Sequence, residues 1–195
     1  DEQIHAWHVE AAGYKLRHVP ATMPDLLKTP ELLRWEYEPH LGKTTEQAIG
    51  ASRDRLDLLG DTLSDQEVAI PLFEVESLIN ATGYYRGLPT DVRDAQIAHF
   101  HALHDQLYPS LRIFLYDARR LWSSPLTIFG PLVAVLYVGS FYMAFRDRER
   151  VQLLTRQFDH LVREAHVSAR DWPAHLQALC ASRDEGRGVP EVSEA

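Results

Sequence analysis

Residues 126 to 145 (LTIFGPLVAVLYVGSFYMAF) contain no charged side chain. A bilayer's hydrocarbon core is about 30 Å thick and takes roughly 20 apolar residues of helix, so length alone suits a membrane span. The pattern inside the stretch argues for something else. Gly130-Pro131 near its start and Gly139-Ser140 near its end are turn signals. Between them Leu132 to Val138 is rich in valine, and Phe141-Tyr142-Met143-Ala144-Phe145 follows. Branched and aromatic side chains suit a pleated, packed surface. Gly-Ser between two such runs reads as a two-residue hairpin loop. In that register Val138 faces Phe141, Tyr137 faces Tyr142 and Leu136 faces Met143. Ala134, Leu136, Val138, Phe141, Met143 and Phe145 then share one apolar face. Val133, Val135, Tyr137, Tyr142 and Ala144 share the other. Both faces are expected to be covered, which accounts for the missing charge without lipid.

The same reading places the other elements. A helix over Glu2 to Ala12 leads to a short strand, Tyr14 to Val19. Thr29-Pro30-Glu31 is a helix start: Thr29 caps, Pro30 takes the first helical position, and Glu31 favours the positive end of the dipole. A second helix is bounded by the capping box Thr44-Thr45-Glu46-Gln47 and by Gly60, with Ile49, Ser52, Leu56 and Leu59 on one face. Val68 to Phe73 reads as a strand, with Pro71 at an edge or bulge because it cannot donate to a ladder. Asn80 to Pro89 reads as a loop. Thr90 caps a helix to Leu107, with Ile97, Phe100, Leu103 and Leu107 as its buried stripe. Leu111 to Asp117 and Thr127 to Phe129 read as strands. Asp147 caps a helix to His166, with Val151, Leu154, Phe158, Leu161, Val162 and Ala165 inward. A shorter helix covers Trp172 to Ala181. The sum is α+β: helices flank a mostly antiparallel sheet of about five strands. Residues 1–182 form one domain, and the polar residues 183–195 are expected to fray.

Composition narrows the functional classes. The chain has 195 residues, enough for one domain with a real core. Acids outnumber bases 28 to 20, a net charge of −8. Duplex-DNA binding needs Lys and Arg on phosphates, so this chain is a poor DNA-touching surface. Its single cysteine, Cys180, allows no intrachain disulfide and reads as a packing residue. No basic segment followed by an apolar run opens the chain, so no signal peptide is visible. The expected compartment is cytoplasmic, with no membrane association and no cofactor.

No catalytic set stands out. There is no G-x-S-x-G elbow and no Gly-rich phosphate loop after a strand. The carboxylate pairs Glu74/Glu76 and Asp57/Asp61 are expected on solvated surface. His101 and His104, three apart on a helix, could share a metal or haem, which gives an alternative reading as a metal- or haem-binding sensor. Aromatics gather around the sheet at Phe114, Tyr116, Phe129, Tyr137 and Tyr142. They read either as plain core or as the lining of a pocket for an apolar or aromatic ligand, with phenols as polar handles. A small enzyme of another kind, with ionisable groups converging in a cleft, is a further alternative. So is a protein–protein interaction module without a small ligand.

The order of several short motifs resembles a known bacterial domain. Met23-Pro24-Asp25-Leu26-Leu27-Lys28-Thr29-Pro30-Glu31 is similar to a "PGLLQTPEY" signature, with Asp25 in place of the glycine. Arg53, in Ala51-Ser52-Arg53-Asp54-Arg55-Leu56, matches part of an "R-x-x-R" helix. Glu74 resembles a "DE" position, Gln96-Ile97 a "QL" pair, and Phe158-Asp159-His160-Leu161 a closing "F-x-x-L" helix. These motifs belong to the C-terminal domain that follows the helix-turn-helix in Xre-type transcriptional regulators, including MmyB-like and antitoxin-like ones. The resemblance runs from about Glu10 to Trp172. It implies a PAS-like or related fold that senses a small-molecule effector and forms a homodimer. It carries over no binding residue. Nothing before Tyr14 has a recognition-helix pattern, so DNA would be reached only through a helix-turn-helix outside this chain. A non-enzymatic ligand-sensing and dimerisation domain is therefore the expected function.

Overall fold

The computed structural model describes residues 2–37, 46–47, 49–54 and 65–187. Helix α1 (Glu2–Glu10) leads to β1 (Leu16–Val19), a 3-10 turn (Asp25–Leu27) and α2 (Pro30–Tyr37). Strand β2 (Gln66–Pro71) runs directly into α3 (Leu72–Asn80). A second 3-10 turn (Gly83–Tyr85), α4 (Thr90–Leu107) and β3 (Leu111–Tyr116) follow. The described residues end with β4 (Leu126–Phe129), β5 (Val133–Val138), β6 (Phe141–Phe145), α5 (Arg148–Arg163) and α6 (Trp172–Arg187).

The fold is α+β around one six-stranded sheet of order β3-β2-β1-β4-β5-β6. The pairs β1–β4, β4–β5 and β5–β6 are antiparallel, but β1–β2 and β2–β3 are parallel. The expectation of about five mostly antiparallel strands is corrected to six strands in a mixed sheet. Helical connections separate β1 from β2 and β2 from β3, and such crossovers return a strand parallel to its predecessor.

Local signals explain most boundaries. Thr29 Oγ1 accepts from Leu32 N at 3.2 Å, and Asp147 Oδ1 accepts from Arg150 N at 3.0 Å, so both expected caps form. Two prolines are read differently. Pro71 ends a central strand and caps α3, so its missing N–H falls where neither ladder nor helix requires one. The expected strand Val68–Phe73 therefore stops two residues early. Pro89, not Thr90, occupies the N-cap of α4, and no side chain bonds there. Residues 49–54 are helical, with Ile49 and Ser52 buried. The cap at Thr44-Thr45, Leu56, Leu59 and the stop at Gly60 lie outside the described residues. Helix α5 ends at Arg163 rather than His166, because the chain turns so that Val167 bridges to Leu115. Helix α6 continues past Ala181 to Arg187.

Both sheet faces carry helices. On one, Val68, Ile70, Leu111, Ile113 and Leu115 pack under α3, α4 and α6 through Leu78, Phe100, Leu103, Trp172 and Leu176. Farther along that face, Trp7 of α1 and Ala11 just after it cover Phe129, Val133 and Val135. The opposite face packs Val19, Ala69, Tyr116 and Ile128 against Val151, Phe158 and Leu161 of α5.

The hairpin forms in the expected register, with Val138 opposite Phe141, Tyr137 opposite Tyr142 and Leu136 opposite Met143. Its expected coverage on both faces is corrected. Helix α5 crosses β1 to β5 and leaves the tip open. Val138, Phe141 and Met143 are 42%, 59% and 44% exposed. Among the described residues, no helix is long and apolar enough to cross a membrane.

Candidate functional site

The five aromatics read as a pocket do not converge. Phe114 and Tyr116 lie on β3, on the face that α5 covers, at one edge of the sheet. Phe129, Tyr137 and Tyr142 lie on β4 to β6, on the face that α1 covers. These three do meet, around Trp7: ring centroids are 5.9 Å apart for Trp7–Phe129, 5.6 Å for Trp7–Tyr142 and 6.5 Å for Tyr137–Tyr142. The Tyr137 hydroxyl lies 3.1 Å from Thr127 Oγ1, which lies 2.9 Å from His18 Nδ1. His101 and His104 are half-buried on α4, and His104 stacks on Tyr108 at 4.8 Å. Among the described residues, no group of three or more His, Cys, Asp or Glu side chains is placed to hold a metal.

Three of the short motifs, the 23–31 segment, Glu74 and Gln96, converge in a buried polar network at the β2–β3 end, whereas the Phe158–Leu161 motif lies on α5 against the opposite face. Glu74 is buried, not on solvated surface as expected. Its Oε1 accepts from Met23 N at 2.9 Å and from the Tyr85 hydroxyl at 2.7 Å. Gln96 is fully buried and clamps the 23–31 segment twice. Its Nε2 donates to Leu27 O, and Thr29 N donates to its Oε1, both at 2.7 Å. Ser52 Oγ donates to Asp25 O at 2.7 Å, whereas Arg53 is exposed. Lys28 Nζ sits 3.0 Å from Asp25 and 2.5 Å from Glu36, and the Tyr37 hydroxyl donates to Asp25 at 2.7 Å.

Burial alone would lower the Lys28 ammonium, but Asp25 and Glu36 hold it above its ordinary value. Burial pushes the Glu36 carboxyl up against the pull of Lys28. Burial, and then the neighbouring carboxylates, push the Tyr37 and Tyr85 phenols well up. Nearly every polar atom of this network has a partner, so it locks the segment in place.

An open site lies on the other side of the molecule. A cleft of 740 Å³ is lined by Tyr14, Lys15, Arg17, Gly130, Pro131, Arg146, Arg148, Val151, Gln152, Thr155 and Arg156. Three pieces of chain build it: the approach to β1, the β4–β5 turn, and the start of α5. Arg148, Gln152 and Arg156 fall at i, i+4 and i+8, so one side of α5 presents them together. Gly130 closes the floor. Its φ is +51°, and a Cβ there would meet Tyr14 Cβ at 2.5 Å, so only glycine lets the turn approach Tyr14.

Among the described residues the lining carries five cations and no carboxylate, on a chain with a net charge of −8. Acids outside the lining answer three of them. Lys15 Nζ lies 3.2 Å from Glu67, Arg17 Nε 3.4 Å from Asp159, and Arg146 grips Glu10 through two bonds of 2.9 and 2.8 Å. Arg146 holds the Glu10 carboxyl below its ordinary value through those hydrogen bonds. Arg148 and Arg156 have no ion-pair partner among the described residues. Reading along the chain missed this cleft, because positions 14 to 17 and 146 to 156 meet only through the β1–β4–β5–β6 pairing. The i, i+4 spacing of Arg148, Gln152 and Arg156 was its one local signal.

No family model, curated protein or solved structure matches the chain.

Proposed function

We propose that this chain is the effector-binding and self-associating domain of a bacterial transcriptional regulator, with its DNA-reading helix-turn-helix in another part of the protein. The observation that carries this reading is the cleft. Its volume lies in the range of small-molecule sites, and a few polar groups converge on an otherwise ordinary surface. Its charged groups are four arginines and a lysine, beside the Tyr14 phenol. Guanidinium groups stay protonated, so they hold a ligand but do not shuttle protons. That favours binding over catalysis.

Three further observations support the reading. Three of the motifs that resemble the regulator domain come together physically, with Gln96 and Glu74 fastening the 23–31 segment. The antiparallel strands β1, β4, β5 and β6 are the part of the sheet that a PAS-like relation would use. The hairpin edge suits a second copy of the chain. Strand β6 has an open edge and carries no charge, lysine or proline to discourage pairing. A two-fold axis at Met143 would pair β6 with itself antiparallel and place Phe141 opposite Phe145 of the second copy. Such an isologous contact satisfies both edges at once. With the exposed side chains of the tip it would supply part of the roughly 800 Å² that each partner of a stable complex buries.

The test is purification of the chain, sedimentation to obtain its solution mass, and native mass spectrometry for a co-purifying small molecule. A dimer whose stability changes with a bound effector is expected. A monomer at high concentration that holds nothing and responds to no small molecule overturns the reading.

A further inference from the structure

We propose that the cleft binds a small polyvalent anion, of the class of phosphate esters or compact polycarboxylates, and that the ligand displaces Glu10 from Arg146, loosening the end of α1. This rests on the effector-binding reading above and specifies its ligand and first consequence.

Charge is the primary argument. Five cations around one concavity repel one another, and the three external acids relieve only part of that. Arg148 and Arg156 are left over, so the complementary ligand brings at least two negative charges. Four of the five cations are arginines, whose planar forks match phosphate and carboxylate oxygens two at a time. The Nε of Arg17 is buried and makes no hydrogen bond among the described residues, its approach to Asp159 being poorly aligned. The Tyr14 ring, Pro131 and Val151 offer an apolar wall for the body of such a molecule, with Gln152 and Thr155 as polar contacts. A duplex-DNA backbone fits poorly, because the site is concave and the chain as a whole is acidic.

The consequence follows from where Glu10 sits. It is the last residue of α1, and its exposed bidentate pair with Arg146 ties that helix to the end of β6 at the cleft. Glu10 is thus a built-in competitor for a cation that the ligand also needs. When an anion takes Arg146, the tie opens. Trp7 and Ala11 stay in the core, so the change is confined to the C-terminal turn of α1 and the Ala12–Tyr14 link into the cleft.

The test uses the full chain, with pyrophosphate, citrate and acetate as probes in calorimetry, and hydrogen exchange of the α1 amides. Binding of pyrophosphate or citrate well above acetate is expected, weakening steeply with salt. Whichever of the two binds better identifies the ligand class. The double variant Arg148→Gln/Arg156→Gln should lose at least about tenfold in affinity. Both side chains are exposed, and an unchanged unfolding temperature will show that the fold is kept. Glu10→Gln should gain about two- to fivefold, the size of an exposed ion pair's contribution. Its α1 amides should exchange as fast without ligand as the parent's do with it.

Equal, weak binding of all three probes overturns the proposal, as does a double variant that binds normally. A Glu10→Gln variant unchanged in both affinity and exchange removes the displacement step. If polyvalent anions fail but another molecule co-purifies with a dimer, the regulator reading stands without this ligand. If the chain is a monomer that binds nothing, the reading itself fails.

Discussion

Glu74 and Arg148 are single charges beside the same sheet, and the fold treats them oppositely. Glu74 is buried at the β2–β3 end and shares one oxygen between a backbone N–H and a phenol. Arg148 stands open at the β6 end with no acid partner among the described residues. The difference extends to their surroundings. Around Glu74 the polar groups of Lys28, Gln96, Tyr37 and Tyr85 are spent on nearby carboxylates and backbone groups. Around Arg148 cations line a cleft, and apolar side chains protrude from the neighbouring hairpin. A buried polar group must be satisfied internally, because leaving it unpaired costs several times what a made hydrogen bond contributes. An exposed group is free of that demand and available to a ligand or another chain. The β2–β3 end is where the molecule is held together, and the β6 end is where it can meet something else.

The largest expected effect is alkaline unfolding driven from the locked end. Burial and neighbouring carboxylates raise the Tyr37 and Tyr85 phenols above their ordinary 10.0. Against the lowering effect of burial, Asp25 and Glu36 raise the Lys28 ammonium above its ordinary 10.5. Groups with raised values hold their protons more tightly in the folded chain than in the unfolded one. Their contribution to stability is complete below about pH 10 and is lost as the pH climbs through the raised values. Urea midpoints measured upward from about pH 8 should stay level and then collapse above about pH 10. A profile that is still level well into that range would mean that the phenols are not held as described.

Next in size is Gln96→Ala. It leaves Thr29 N and Leu27 O buried without partners, at about 1–3 kcal/mol each. For a chain of this size that corresponds to a melting temperature lower by very roughly 5–15 °C. A loss below about 1 kcal/mol would show that the 23–31 segment is held by packing rather than by the clamp.

How far the sequence revealed each end differs in kind. The hairpin register was legible because a two-residue turn fixes it locally and because apolar residues fill both faces. The Thr29 and Asp147 caps were legible for the same local reason. The parallel pairing of β2 with β1 and β3 was not, since nothing near Val68 states which distant strand it joins. Helix α3 was hidden because Val-Ala-Ile-Pro-Leu-Phe reads as one β-prone run, and only the tertiary fold assigns Pro71 to the boundary. That Glu74 and Gln96 bond back to residues 23 to 29 is a long-range fact. The aromatics misled because alternation places Phe114 and Tyr116 on the opposite face from Phe129 and Tyr137. The strand order then sets β3 at the far edge of the sheet. Charge in the cleft was invisible for a related reason: Lys15 and Arg148 become neighbours only after β1, β4, β5 and β6 align.

At the open end the expected stability effects shrink. Gly130→Ala is the intermediate case, because the cleft floor is also part of the β4–β5 turn. A side chain at φ +51°, with a Cβ 2.5 Å from that of Tyr14, should cost about 1–3 kcal/mol and push the Tyr14 ring out of the cleft wall. Full stability in thermal unfolding would show that the turn relaxes without disturbing Tyr14.

The smallest stability effect belongs to the hairpin tip. Phe141 and Met143 project on the side that α5 leaves uncovered, and neither fills a core position. Replacing both with threonine keeps the β-propensity of the strand and removes apolar surface that is about half exposed to solvent. Unfolding free energy at low protein concentration should therefore change by no more than about 0.5 kcal/mol. Sedimentation should nonetheless show the proposed dimer dissociating, because the same side chains would be the apolar part of the contact between two β6 edges. A double variant that loses several kcal/mol as a monomer would mean that the tip is core after all and that the two ends are not distinct. A variant that stays dimeric with unchanged stability would move the contact away from β6. The separation of the two quantities, monomer stability unmoved and association lost, is what distinguishes a surface kept for a second chain from one that merely protrudes.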